Sequence, residues 1–269
     1  MQRTPGPLAI NYYLKRDQIL ATANLTPPTS TSTIWKVLTE NGRIAKRDWR
    51  PTHQAVQRPQ VMKSWQFDFK DSVSVVVDPD GKRQHVVEIL NVVEIGGSIL
   101  IESIARDDYN AQTVLQTLAD ILLSWGLPND VTFDNDTRFV GADSSSDFPS
   151  AMRRFWHGLD VKMNKIPAHR PALNGFVERF NGSQGRECLN KQQPKDLGEV
   201  REAIDWYKQH YNWERPHQGF SCKNQPPHVA FPELPALRNV PMWINPDGWL
   251  AKIDGEMYTR RVGKEKMGG

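Results

Sequence analysis

The chain is poor in cysteine and has no long apolar run, and both absences narrow what it can be. Only Cys188 and Cys222 occur among its 269 residues. A disulfide framework is therefore not expected, and a cysteine-rich structural zinc site is excluded. No apolar stretch approaches the length of a bilayer span, and the N-terminus lacks the charged-then-apolar pattern of a signal peptide. The expected compartment is the cytoplasm.

Positive charge is present but unevenly distributed. The net charge is +3, yet residues 1–60 carry nine Lys or Arg against three acids, and the remaining chain carries 25 against 28. A basic N-terminal region beside a mildly acidic remainder suits phosphate contact by the first and metal binding by the second. Ordinary solvated surface charge explains the same numbers, so the asymmetry has weight only if the motifs agree with it.

Three acidic residues stand in distinctive local settings. Asp68 and Asp134 each end an apolar β-type run, and Glu178 lies on a predicted amphipathic helix. Carboxylates delivered by two strands and a helix can converge on hard divalent cations, which prefer oxygen ligands. Two such cations can activate an attacking oxygen and stabilise a leaving one at a phosphodiester.

Each of the three carboxylates has a simpler explanation when taken alone. Asp68 and Asp134 could be ordinary strand-end residues, and Glu178 could be a solvated helix residue. Two nearby acids, Asp71 and Asp136, are alternatives to the first two. Asp134 is preferred to Asp136 because it directly follows the predicted strand.

Two sequence motifs accompany these acids and strengthen the case that the acids act together. Glu178 lies within Pro-x-x-Asn-Gly-x-x-Glu-Arg, and Tyr-Asn-x-x-Arg-Pro-His follows at residues 211–217. Together with the settings of Asp68 and Asp134, they resemble the catalytic core of the integrase-like DDE transposases. That superfamily includes bacterial insertion-sequence transposases and retroviral integrases. Nothing in the chain matches the His/Cys zinc domain of retroviral integrases, so the resemblance is to the bacterial branch, and a bacterial, nucleoid-associated location in the cytoplasm is expected.

The resemblance implies a fold, an activity and a set of partners. The implied fold is an α/β, RNase H-like core, with a mixed five-stranded sheet flanked by helices. Asp68, Asp134 and Glu178 are implied to be both the catalytic residues and the ligands of two Mg²⁺ or Mn²⁺ ions per active site. The implied reaction is metal-dependent DNA cleavage followed by strand transfer, without a covalent protein–DNA intermediate. The implied partners are transposon ends and target DNA, bound by a homo-oligomer.

The pattern along the chain predicts four regions. Residues 1–42 are predicted to be a partial helix-turn-helix segment, with one helix over 11–21 and a second capped by Ser30 or Ser32. Residues 43–62 are a basic, proline-punctuated linker. Residues 63–235 form the RNase H-like integrase core, and residues 236–269 a truncated C-terminal β segment.

Within the core, the sequence predicts where several elements begin and end. Separate strands are expected at 64–69 and 73–77, joined to the next strand by a hairpin turn at 78–81. A helix is expected after Asp107 or Asp108.

The expected DNA contacts fall into two groups. One group surrounds the predicted catalytic helix and the segment after it, and the other lies in the basic N-terminal region. For Arg215, as for His217, an alternative role in bracing the catalytic helix is equally expected. The residues are His169, Arg170, Asn174, Arg179 and Arg215 in the first group and Lys36, Arg43, Lys46 and Arg47 in the second.

Two departures from the family pattern leave other functions open. Asp136 replaces a glycine that usually permits positive φ, and Gln184-Gly185 replaces a Leu-Lys pair that would supply a DNA-contacting cation. The rival hypotheses are an RNase H-like nuclease without strand transfer, and a decayed or partial transposase that acts only as a DNA-binding or regulatory protein.

Overall fold

The computed structural model describes residues 6–44, 58–76, 84–140, 150–166, 171–219 and 221–240. The first of these ranges forms three helices: α1 (Pro7–Leu14), α2 (Gln18–Thr22) and α3 (Thr31–Glu40). The single helix predicted over 11–21 is wrong, because Asp17 starts a new helix by accepting hydrogen bonds from the backbone N–H groups of Ile19 and Leu20. The predicted Ser30 cap of α3 is confirmed.

Five strands form one mixed sheet. Its order is β3-β2-β1-β4-β5, with β1, β2 and β3 antiparallel and β4 and β5 parallel to β1. An antiparallel meander extended by two parallel strands is the arrangement of the RNase H-like fold, so the predicted fold class is confirmed. The strands are β1 (Ser64–Val76), β2 (Gln84–Glu94), β3 (Leu100–Arg106), β4 (Asp130–Phe133) and β5 (Lys162–Lys165).

Helices flank the sheet. A 3₁₀ turn at Pro171–Asn174 leads into α7, and π-helical turns at Gly185–Leu189 and His210–Glu214 continue α7 and α9. Among the described residues, no helix is long and apolar enough to cross a membrane. The helices are α4 (Ala111–Trp125), α5 (Thr137–Val140), α6 (Ala151–Gly158), α7 (Gly175–Gln184), α8 (Asn190–Gln192), α9 (Leu197–Gln209) and α10 (Pro227–Ala230).

Two predicted element boundaries in the core are wrong. The runs expected as two strands belong to the single strand β1, whose pairing with β2 shifts register between Asp71 and Ser74. The predicted hairpin turn at 78–81 lies outside the described residues. Helix α4 is capped by Asn110 in a capping box with Thr113. Asp108 is instead bound by Arg106, at 2.7 Å.

The sheet has a different apolar cluster on each face. Because side chains alternate along a strand, Trp65 and Phe67 of β1 lie in the cluster that contains α4 and α6. The opposite cluster contains α7 and α9, with Phe180 and Tyr207 at its centre. On β1 itself, this second face carries the polar residues Gln66, Asp68 and Lys70 rather than apolar ones. The strand therefore presents one apolar face and one polar face, and the polar face contacts α7.

The chain after α10 packs back onto the core. The backbone N–H of Leu127 donates to the Arg238 carbonyl at 2.9 Å, and Leu237 packs against the cluster that contains α4. Gly126 has φ +88° there, and a Cβ on it would lie 2.8 Å from the Arg238 carbonyl oxygen. Of the segment predicted as C-terminal β structure, residues 241–269 lie outside the described residues, as do residues 45–57 of the predicted linker.

Candidate active site

Two of the predicted carboxylates lie side by side at the middle of the sheet. Gln66 of β1 pairs in parallel register with Thr132 of β4. Asp68 and Asp134 each lie two residues further along the same direction, so they reach the same level on adjacent chains. On its other side Asp68 pairs with Asn91 of β2. The sheet topology thus brings together two acids that are far apart in sequence.

The third carboxylate reaches the same place from α7. Glu178 is exposed in the first turn of that helix. The charges of Asp134 and Glu178 both act on Asp68, whose pKa is raised to about 7. Burial is the largest cause of this rise, the two neighbouring charges add to it, and hydrogen bonds from the Phe69 N–H and the Asn181 side chain oppose it. The three predicted residues therefore form one electrostatic unit.

The donor chemistry of this unit suits a divalent cation, but the side chains are not assembled as a ligand shell. Within the described ranges, no three His, Cys, Asp or Glu side chains are grouped closely enough to hold a metal ion. Asp68, Asp134 and Glu178 supply only carboxylate oxygens, the ligands that Mg²⁺ and Mn²⁺ prefer. A raised carboxyl pKa caused partly by like charges is also the condition that a cation would relieve. Binding would require the three side chains to move closer together.

Asp136 is held by an arginine rather than left free beside the site. Arg138 donates from Nε to Asp136 Oδ1 at 3.0 Å and from Nη2 to Oδ2 at 2.6 Å. The same guanidinium binds both carboxylate oxygens of Glu88 and lies 3.8 Å from the centre of the Phe69 ring. Burial raises the pKa of Asp136, but the hydrogen bonds and charge of Arg138 together outweigh burial and lower it. These contacts favour Asp134 over Asp136 as the acid of the site.

The backbone at Asp136 also explains how an aspartate replaces the usual glycine. Asp136 does not adopt a positive φ, so its position does not need the conformational freedom of glycine. Its backbone N–H donates to Asp134 Oδ1 at 3.0 Å. The substitution is therefore accommodated without backbone strain, and it helps to orient the neighbouring acid.

Gln66 anchors the start of α7 to β1. Its Oε1 accepts hydrogen bonds from the backbone N–H groups of Phe176, at 3.0 Å, and Val177, at 3.2 Å. Its Nε2 donates to the Leu173 carbonyl at 2.7 Å. The helix has no side-chain cap of its own, so a strand residue supplies the acceptor that a capping residue normally provides. Gln66 was missed in the sequence, where only its alternation with Asp68 on one strand face signalled a shared role.

The segment after α9 braces α7 from the other end. Arg215 donates from Nε to Glu187 Oε2 at 2.6 Å and from Nη2 to Oε1 at 2.9 Å, and Glu187 lies in the π-helical turn that continues α7. His217 is buried against Tyr211. Burial, followed by the charge of Arg215, lowers the pKa of His217 to about 3, so the imidazole is neutral. The contacts of Arg215 support the bracing alternative, and its contact with DNA stays a prediction.

Comparison with known proteins agrees with this geometry. Residues 159–227 match the integrase core domain family. The matched range contains Glu178 and the whole of the Tyr-Asn-x-x-Arg-Pro-His segment. The predicted resemblance to integrase-like transposases is confirmed.

Two insertion-element proteins are similar to this chain. The 39.2 kDa protein of insertion element IS476, from Xanthomonas euvesicatoria, is 34% identical over 93 residues, which are 34% of this chain and 26% of that protein. The 31.7 kDa protein of insertion element IS407, from Burkholderia multivorans, is 24% identical over 195 residues, which are 70% of this chain and 65% of that protein. The chain therefore spans less than two thirds of the length of either relative.

Solved retroviral integrases are similar to the chain at low sequence identity. The simian T-cell lymphotropic virus intasome, in complex with PP2A regulatory subunit B56 gamma, has a TM-score of 0.48 and 14% identity, covering 87% of this chain and 79% of that chain. The HTLV-2 integrase catalytic core domain, in its trimeric form with magnesium, has a TM-score of 0.47 and 13% identity, covering 65% and 99%. The assignment of the RNase H-like fold rests on strand order and direction.

The predicted DNA contacts differ in their accessibility. Arg179, Lys36 and Arg43 are exposed to solvent. Asn174 lies in the turn before α7 and is only 3% exposed, and its contact with DNA stays a prediction. The remaining residues in this set lie outside the described residues. They are His169, Arg170, Lys46 and Arg47.

A lysine of β1 lies beside Gly185, where the family pattern has a lysine on the helix. Lys70 lies on the polar face of β1, two residues after Asp68, and its side chain passes beside α7. Its Nζ is 3.4 Å from the point where a Cβ on Gly185 would lie. The missing side chain at Gly185 therefore leaves room for this ammonium group. The sequence offered no direct signal, because the two residues are 115 positions apart.

Proposed function

We propose that the chain is a DNA transposase or integrase that cuts and joins phosphodiester bonds with the help of divalent cations. One observation carries the proposal: Asp68 and Asp134 lie at one level of adjacent strands, and the charges of Asp134 and Glu178 both act on Asp68. The fold, the integrase core match and the insertion-element relatives support the same reaction class.

In this proposal Asp68, Asp134 and Glu178 hold two Mg²⁺ or Mn²⁺ ions. When bound, the ions supply activation of the attacking oxygen and stabilisation of the leaving 3′ oxygen. The protein's own groups then set where those oxygens lie. Asn181 holds one oxygen of Asp68 by a 2.9 Å hydrogen bond, and Gln66 ties α7 to β1, which limits how far Glu178 can move from the two aspartates.

Basic residues around the carboxylates would bind the DNA backbone. Arg179 lies next to Glu178, and Lys70 lies beyond Asp68 on the same strand face. Lys36 and Arg43 add exposed cations at α3 and directly after it. Phosphate contacts of this kind position the duplex without reading its sequence. We further propose that the chain acts as a homo-oligomer on transposon ends and target DNA in the bacterial cytoplasm.

The test is nicking of supercoiled plasmid in Mn²⁺, which needs no knowledge of the element's ends. We expect Asp68→Asn, Asp134→Asn and Glu178→Gln each to lower the nicking rate by about 100-fold, since removal of a metal ligand should cost at least as much as removal of the groups behind it. Asp71→Asn is the matched control, because Asp71 is an exposed acid on the same strand. Asp136→Asn should retain nicking within a few-fold. Equal nicking by wild type and Glu178→Gln would overturn the proposal.

A second assay separates transposition from simple nuclease activity. Joining of a labelled, pre-cut DNA end to a plasmid, dependent on Asp68 and Glu178, would establish strand transfer. Nicking without joining would support the nuclease hypothesis. If the protein binds duplex DNA but neither nicks it nor binds Mn²⁺ at millimolar concentration, the DNA-binding or regulatory hypothesis is correct instead.

A further inference from the structure

A buried polar cluster lies behind Asp68, on the side away from solvent. Asn91 of β2 and Gln184 of α7 are fully buried, and Ser103 of β3 is 3% exposed. They lie among apolar side chains that join the sheet to α7, including Phe180 and Leu100. Burying polar side chains in such a place costs free energy unless every group is hydrogen-bonded. Packing alone therefore does not explain why polar residues occupy this place.

The cluster is closed by hydrogen bonds among its own members. Ser103 Oγ donates to Asn91 Oδ1 at 2.6 Å, and Gln184 Nε2 donates to Ser103 Oγ at 2.9 Å. Asn91 Nδ2 donates to Gln184 Oε1 at 2.8 Å. Each side chain thus fixes the orientation of the other two, and the three elements β2, β3 and α7 are joined at one point.

Among the residues that the structure describes, the side chains of the cluster have one outward hydrogen bond, and it leads to the carboxylate. Asn91 Nδ2 also donates to Asn181 Oδ1 at 2.8 Å. With its oxygen engaged in this way, Asn181 turns its Nδ2 group toward Asp68 and donates to Oδ2 at 2.9 Å. An ionised carboxylate only accepts hydrogen bonds. The donor direction along the chain from Ser103 through Asn91 and Asn181 to Asp68 is therefore the one that an ionised Asp68 requires.

We propose that Asn91, Ser103 and Gln184 are positioning residues that hold the Asn181 amide, and through it the Asp68 carboxylate, in the orientation that binds a divalent cation. The inference rests on the proposed function, because it concerns the same metal-binding carboxylate. The inference goes beyond the proposed function because it assigns a role to three residues that touch neither DNA nor a cation. Groups that orient metal ligands from behind typically change metal affinity by about 10–100-fold when removed.

Ser103 offers the cleanest test, since two side chains separate it from Asp68. Ser103→Ala removes the hydroxyl that fixes Asn91, while Ser103→Thr keeps a hydroxyl on a β-branched residue suited to a strand. Ser183→Ala is the matched control: Ser183 is a similarly buried serine on α7, and its side chain only accepts a 3.4 Å hydrogen bond from Arg186. Free Mn²⁺ would be measured by electron paramagnetic resonance in titrations of the full chain, beside the Mn²⁺ dependence of nicking.

We expect Ser103→Ala to weaken Mn²⁺ binding by about 10-fold. The half-saturating Mn²⁺ for nicking should rise by the same factor, while the rate at saturating Mn²⁺ changes little. Ser103→Thr should recover most of the affinity, and Ser183→Ala should not change it. A cluster that only stabilises the fold would lower the melting temperature and the amount of active protein without changing the Mn²⁺ affinity of the folded fraction, which would overturn the inference.

Two further variants keep the outcome interpretable. Gln184→Met removes the other polar end of the cluster at similar volume, and it replaces Ser103→Ala if that variant does not fold. Asp68→Asn reports on the proposed function itself. If Asp68→Asn leaves Mn²⁺ binding unchanged, the proposed metal site is wrong and the inference fails with it. If Asp68→Asn abolishes binding but neither Ser103→Ala nor Gln184→Met weakens it, only the inference fails.

Discussion

Asp68 is a carboxyl group whose surroundings favour its protonated form. Burial and two neighbouring carboxylates raise its pKa to about 7, and the hydrogen bonds that it accepts only partly oppose them. Glu94, buried at the end of β2, shares this behaviour: burial raises its pKa to about 6 in spite of hydrogen bonds from Met62, Gly96 and Gly97. Neither group is ionised in the fold as easily as in the unfolded chain.

The raised pKa of Asp68 predicts that this residue stabilises the metal-free protein less as pH rises. A carboxyl group with a raised folded-state pKa binds more protons in the folded state, so the contribution of Asp68 is fully present below about pH 3.8 and is lost as pH rises through about 7. Buried His217 acts in the opposite direction, because its pKa is lowered to about 3, and the test therefore compares wild type with Asp68→Asn, which share His217 and Glu94. In chelator-treated protein, the free energy of unfolding of wild type minus that of Asp68→Asn, from urea titrations, should decrease between pH 5 and about 7.5. A difference that does not change with pH would contradict the raised pKa.

The residues of the site differ in how much the sequence could reveal about them. Asp68, Asp134 and Glu178 stand out through their neighbours in sequence. Gln66 and Asn181 do not, because their partners lie 90 or more positions away and become partners only through sheet register and helix placement. Leu173 precedes Phe176, Val177 and Phe180 at helical spacing in the sequence but is 51% exposed, since the 3₁₀ turn before the helix breaks that spacing.

At the scale of the element, α7 is held along its whole length by the polar face of β1 and by the segment after α9. Gln66 contacts the first turn, Asp68 the middle through Asn181, and Lys70 the end beside Gly185. Helix propensity contributes little, because Gly182 and Gly185 each cost about 1 kcal/mol relative to alanine. The position of Glu178 therefore depends on contacts with the sheet and not on the helix sequence.

Gln66→Leu should loosen the start of α7 without removing the helix. The backbone N–H groups of Phe176 and Val177 would lose their acceptor, and a buried donor without a partner costs about 1–3 kcal/mol. Hydrogen exchange of the two amides should accelerate more than exchange in α9, and nicking should fall as Glu178 loses its fixed position. Gln112→Leu, at an exposed position of α4, should have neither effect. Equal protection of both amides in Gln66→Leu and wild type would show that the anchor is dispensable.

The positions of strands were predictable from apolar β-type runs and the mixed five-stranded sheet from the family resemblance, whereas element boundaries were less predictable. The bulge that makes β1 one strand depends on pairing with β2, which no local pattern shows. The choice of Asn110 over Asp108 as the cap of α4 depends on Arg106, which binds Asp108 from the end of β3. In both cases a contact between elements overrode a local preference.

At the scale of the whole molecule, the N-terminal helices contact the C-terminal part of the chain, from which they are far apart in sequence. Asn224 Nδ2 donates to the Leu8 carbonyl at 3.1 Å, and Asn11 Nδ2 donates to the Pro28 carbonyl at 3.3 Å within the three-helix unit. The first contact ties α1 to the segment before α10. Cations on this unit are therefore carried by a folded part of the molecule.

The charge distribution predicts that DNA affinity depends more on the positive charges of the three N-terminal helices than on the same number of positive charges elsewhere in the chain. Lys36→Glu combined with Arg43→Glu should weaken binding to an arbitrary duplex by about 10-fold at moderate salt, and should lower the slope of log affinity against log salt by about two. Lys191→Glu combined with Lys195→Glu changes the net charge equally, at exposed residues before α9, and should change the slope less. The measurement is fluorescence anisotropy over a salt series. Identical slopes for both double variants would show that only net charge matters.

The alternation of apolar and polar side chains along β1 also determines where the protein tolerates an inserted or deleted residue. Inserting or deleting one residue between Trp65 and Asp68 would exchange the two faces of the strand. The acid would then enter the aromatic cluster, and Phe67 would take its place beside α7. After Asp71 the pairing with β2 already shifts register before Ser74, so an extra residue there can be absorbed locally. Natural length variation in relatives should therefore be excluded from the first half of this strand and tolerated from the bulge onward.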